Sequence, residues 1–126
     1  MPRVESILLA VLLVPAAAVA QLPSGLSPLE DTTPANLKRY IQCMELARRE
    51  PLKALPAAEK WAGEGGGLGA RHCVAIALFE IGKFEQAATQ LETIARDVAP
   101  ERPGLRAEVY IQAGQAWMEA NHAEDA

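Results

Sequence analysis

Cys73 follows Arg71 and His72 near the start of a predicted helix. The helix dipole and the adjacent cation would lower the thiol pKa there and favour a nucleophilic thiolate. No acid is spaced to orient a Cys–His pair, so the residue types are present without the arrangement that catalysis needs. The chain holds 2 Cys and 2 His, no C-x-x-C pair and no usual zinc-ligand spacing, so neither a metal nor a redox or haem cofactor is expected. His122 has no neighbouring ligands and reads as a solvated residue near a helix start. Gly65, Gly66 and Gly67 are not followed by Lys-Ser or Lys-Thr, which makes them a helix breaker or flexible hairpin turn and not a phosphate loop. Trp61 and Trp117 fall on apolar stripes and read as core residues. Glu119, Glu124 and Asp125 read as a solvated face. No Ser, His and Asp arrangement has motif support, so the expectation is a protein that is not an enzyme and has no small-molecule substrate.

The elements that would position these residues must fit within 126 residues, 50% of them apolar, with a formal net charge of −4. One domain is the ceiling. Scattered, mildly acidic charge lacks the basic patch of a nucleic-acid binder or of a polybasic membrane-surface protein.

Residues 1–20 read as a cleaved secretory signal peptide, with an uncleaved anchor or an ordinary buried N-terminal helix as the alternatives. Arg3 and the amino terminus form the n-region, Ile7 to Val14 the apolar region, and Pro15 precedes a run of small residues with Ala18 and Ala20 before a cut that leaves Gln21 as the new terminus. The apolar run is shorter than the ~20 residues of a bilayer-spanning helix. The mature chain is expected in the periplasm or outside the cell, touching the membrane only through the signal peptide. The preference for Arg over Lys and the heavy use of Ala point to a GC-rich bacterial source. Export also bears on the cysteines: in an oxidising compartment Cys43 and Cys73 are a candidate disulfide, with two buried free thiols as the alternative.

Gln21 to Thr33, rich in Pro, Gly and Ser, reads as an extended leader. Five helices follow. In the first, Thr33 caps, Pro34 takes the first helical position, Leu37, Tyr40, Ile41, Met44 and Ala47 repeat at helical spacing, and Arg48 and Arg49 close it. The second runs from Pro51 to Trp61, with Pro56 expected to kink it or push its start later. The third spans about Gly69 to Ile81 and stops at Gly82. The fourth, about Lys83 to Val98, carries Phe84, Ala87, Leu91 and Ile94 on one stripe. The fifth, about Gly104 to Ala120, does the same with Leu105, Val109, Ala113 and Trp117. No stretch has the alternating pattern of a strand, so the predicted class is all-α.

Two segments repeat. Leu78, Gly82, Phe84, Glu85, Ala87, Leu91 and Pro100 in one unit, and Tyr110, Ala113, Gly114, Trp117 and Ala126 in the next, resemble the tetratricopeptide repeat, which pairs W-x-x-L-G-x-x-Y with A-x-x-x-F and a later Pro. Arg71 and Ala75 depart from its first-helix pattern. The unit from Pro34 to Trp61 fits only with a shortened link, and the interval between units exceeds the family's usual ~34 residues. The resemblance covers residues 34–126 and implies antiparallel helix hairpins stacked as a right-handed α-solenoid. Because a hairpin cannot bury its face alone and Ala126 would fall just inside a sixth helix, the domain is expected to be truncated at its C-terminal end.

In such arrays the first helices line a groove that holds a segment of a partner protein. Carried over by position, the resemblance implies His72, Ile76, Phe79, Ile111, Gln115 and Met118 as the groove residues. Only His72 among them could be cationic, so the groove lacks the basic character that clamps a terminal carboxylate. The implied function is a non-catalytic protein–protein interaction scaffold of the bacterial cell envelope. The alternative is an accessory domain of a longer envelope enzyme or of a secretion or assembly machine.

Overall fold

The computed structural model describes residues 33–125, with side chains as far as His122. The expected signal peptide, its cleavage residues Ala18, Ala20 and Gln21, and the leader ahead of Thr33 lie outside the described residues. The described residues form five helices: α1 (Pro34–Arg49), α2 (Pro51–Gly63), α3 (Gly67–Ile81), α4 (Phe84–Asp97) and α5 (Pro103–Asp125). They contain no strand, so the class is all-α.

Local chemistry explains the boundaries. The Thr33 hydroxyl accepts from the Asn36 amide at 3.4 Å and Pro34 follows at the first helical position, where its missing N–H costs nothing. Glu50 separates α1 from α2: its amide donates to the Leu46 carbonyl at 2.7 Å and its own carbonyl accepts from Ala54 at 3.0 Å. Pro56 lies inside α2 without moving its start from Pro51. The carbonyl four residues earlier loses its helical donor, but Leu52 is 77% exposed, so water can serve that oxygen.

Gly82 and Gly66 are required at the turns for different reasons. Gly82 ends α3 with φ +95°, the left-handed conformation that side chains resist, and Lys83 N–H closes back to the Leu78 carbonyl at 2.9 Å. Gly66 is packed so closely that a Cβ on it would meet the Ala70 Cβ at 2.5 Å and the Trp61 indole at 2.7 Å. The Gly66 carbonyl accepts from Ala70 at 3.3 Å, which carries the helical turn back over the glycines, so α3 begins at Gly67 and not at Gly69.

α3 is the central helix. It buries Leu68, Ala70, Cys73, Val74, Ala77 and Leu78 in almost every direction, packing on α1, α2 and α4, while α4 carries the contact on to α5. Alanines recur at the buried positions of α2, α3 and α4, and their small volume lets neighbouring helices approach closely. Arg71 on α3 meets Asp97 at the end of α4 at 2.8 Å, and Phe79 and Phe84 pack edge to face across the Gly82 turn, their ring centres 5.1 Å apart.

α5 departs from the expected span. It continues unbroken to Asp125, past the Ala120 boundary and past the expected turn into a sixth helix. His122 therefore sits in the last turn of α5 and not near a helix start. No Gly or Pro lies between Gly114 and Asp125, so neither of the strong helix breakers interrupts the segment.

Candidate protein-binding cleft

Cys43 of α1 and Cys73 of α3 are joined by a disulfide, their Cα atoms 6.2 Å apart. Cys73 is completely buried. Bonded and inaccessible, it has no thiolate to offer, which removes the nucleophile reading.

One residue away lies the polar centre of the fold. His72 is 2% exposed and both of its ring nitrogens are engaged, Nδ1 with Tyr40 Oη of α1 at 2.8 Å and Nε2 with Gln112 Oε1 of α5 at 2.6 Å. The Tyr40 and His72 rings stack with centres 6.0 Å apart. Proton bookkeeping selects one tautomer. If the buried Tyr40 hydroxyl donates to Nδ1, then Nε2–H donates to Gln112 Oε1 and every hydrogen has an acceptor. Burial lowers the His72 pKa; the bond to Gln112 opposes that shift and the charge of Arg48 adds to it. The ring is therefore neutral at neutral pH. Burial also pushes Tyr40 up to about 12, with Arg48 working the other way.

Beside this relay runs a cleft of about 180 Å³, lined by Arg48 of α1, Ile76, Phe79 and Glu80 of α3, Leu91 of α4, and Gln112 and Gln115 of α5. Ile76, Phe79 and Leu91 supply apolar surface, and the two glutamines and two opposite charges supply polar edges. Among the described residues neither Arg48 nor Glu80 makes an ion pair. A wider depression of about 520 Å³ on the outer side of α4 is lined by Glu85, Gln86, Thr89 and Gln90. Those residues are one stripe of one helix, and among the described residues nothing converges there from a second element.

The six groove residues expected from sequence separate. Ile76, Phe79 and Gln115 line the cleft together. His72 lies one layer behind it, buried, so it offers no solvent-facing cation. Ile111 and Met118 are 62% and 57% exposed on α5 and are not part of the cleft lining. The sequence reading missed Gln112 and Arg48. Gln112 was detectable in principle, since residues three apart on a helix share a face and Gln112 and Gln115 do so here. Arg48 carried no such signal, because a basic residue in the last turn of a helix is accounted for by the dipole alone.

Trp61 is buried at the end of α2, with the Arg39 guanidinium 5.0 Å from its ring centre. Trp117 is half-buried and donates its indole N–H to Glu92 Oε1 at 2.7 Å. Among the described residues no group of three His, Cys, Asp or Glu side chains could hold a metal ion, and no helix is long and apolar enough to cross a membrane. Comparison of the chain with known protein families, curated proteins and solved structures finds no match.

Proposed function

We propose that the protein is an exported, non-catalytic adaptor of the bacterial cell envelope, whose helices stack as tetratricopeptide-like hairpins and hold a segment of another protein. One observation carries this reading: residues from four helices converge on a single cleft with an apolar floor and a polar edge. That combination suits peptide recognition, because buried apolar side chains supply affinity and a few polar contacts supply specificity. The helix order is compatible with the repeat, since each helix packs on the next and α1 also packs on α3.

The test is affinity capture of the tagged full-length protein from crosslinked periplasmic extract, followed by titration of the purified partner against Phe79→Ala and Gln115→Ala. Loss of affinity in both variants, with the helical circular-dichroism signal retained, supports the cleft as the binding site. Unchanged affinity in folded variants removes the cleft from the reading. Failure of the protein to reach the periplasm removes the export half of it.

A further inference from the structure

The relay behind the cleft has a direction. His72 Nε2–H occupies Gln112 Oε1, so the acceptor end of the Gln112 amide faces inward and its NH₂ group, with two donors, is turned away from the buried histidine. Gln112 also lines the cleft. Tyr40 and His72 thus act as a fixed mount that denies the amide the flipped orientation, in which an N–H would point at another N–H.

The other charges of the cleft refine what could sit there. Arg48 is a cation without an ion pair among the described residues, and its field already reaches Tyr40 and His72. Ile76, Phe79 and Leu91 form an apolar floor in a volume of about 180 Å³, which suits one large side chain and not a whole helix face. Glu80 lines the same cleft and disfavours an acid on its own side.

We propose that the cleft binds an extended segment of another protein in which an apolar residue is followed by an acidic one, with the Gln112 amide donating to the segment's main-chain carbonyl and Arg48 pairing with its carboxylate. His72 is the positioning residue that keeps the Gln112 donors outward. This rests on the adaptor reading above and specifies the chemistry of the partner.

A displayed library of random peptides, panned against the full-length exported protein, tests it. The expected result is enrichment of internal apolar–acidic pairs. Arg48→Glu, a change at an exposed position whose folding is checked by circular dichroism, should reverse the preference from acidic to basic. Gln112→Ala should weaken a selected peptide about tenfold, the scale of one hydrogen bond to a well-placed partner. In NMR spectra of the wild type the Gln112 side-chain NH₂ signals should move on addition of that peptide, and His72→Phe should broaden or shift them before any peptide is added. Enriched peptides whose affinity ignores both Arg48→Glu and Gln112→Ala would overturn the proposed chemistry and leave the adaptor reading standing. Selection only of peptides with a free terminal carboxylate would also overturn it. A wild-type protein that enriches nothing would overturn both.

Discussion

Tyr40 and His72 lie 32 positions apart and share a buried hydrogen bond of 2.8 Å, immediately beside the disulfide that joins Cys43 to Cys73. The two links act on the same pair of helices in different ways. The disulfide holds α1 to α3 covalently, while the hydrogen bond fixes which face of each helix meets the other. A slipped register would leave a buried hydroxyl or imidazole without a partner, a loss of about 1–3 kcal/mol per group. Gln112 extends the arrangement to α5, so three helices share one polar contact inside an otherwise apolar core.

Acid should destabilise the fold through His72. Its folded-state pKa is lowered, so below about pH 6.5 the unfolded chain takes up a proton that the native state resists. Stability is therefore full above the unfolded pKa and falls as the pH drops through and below it. Urea denaturation across this range should show the midpoint falling on acidification. His72→Gln should flatten that dependence, and an equally steep curve in the variant would assign the effect elsewhere.

Alkali should act through Tyr40. The hydroxyl ionises at about 12 in the folded protein against 10.0 for a free tyrosine. Stability is complete below pH 10 and is lost as the pH rises from there toward 12, by an amount on the order of 2–3 kcal/mol at most. Tyr40→Phe should lack this decline, although it will be less stable at neutral pH because His72 Nδ1 loses its donor. Ultraviolet titration offers a direct check: the Tyr40 phenol should ionise well above the 10.0 of a free tyrosine.

Reduction of the disulfide should be costly. The bridge spans a sequence separation of 30, for which chain-entropy arguments give roughly 3–4 kcal/mol. Thermal melting with and without reductant, and of a Cys43→Ala/Cys73→Ala double variant, measures it. A difference below about 1 kcal/mol would mean that helix packing alone already restricts the unfolded chain.

Gly66→Ala should destabilise by roughly 1–3 kcal/mol through overpacking. The added methyl would overlap the Ala70 Cβ and the Trp61 ring, neither of which can retreat without disturbing the α2–α3 junction. Gly63→Ala is the matched control, since a Cβ there meets nothing within 4 Å. Equal melting temperatures for the two variants would show that the junction yields more easily than its packing suggests.

Much of the helical framework was legible from local chemistry. Thr33 with Pro34 marked the start of α1, Gly82 marked the end of α3, and the spacing of Ala87, Leu91 and Ile94 identified the buried stripe of α4. These signals are short-range, carried by residues within a turn or two of one another. The cysteine pairing was legible only as one of two alternatives, because a bond depends on both helices facing the contact. The length of α5 was misread for the opposite reason: a repeat pattern called for a turn where no residue imposes one.

The lining of the cleft was legible only in part. Ile76, Phe79 and Gln115 were assigned to it, whereas His72, Ile111 and Met118 belong to other surroundings. Sequence by itself determined that the described chain folds as helices and which stripe of most of them is apolar, since periodicity is a property of a single helix. Only the tertiary structure decided that His72 faces inward, that Gln112 takes its place at the cleft, and that Arg48 joins them. The rotation of one helix against another is set by side chains from distant segments packing together and satisfying one another's polar atoms, and no local pattern encodes that phase.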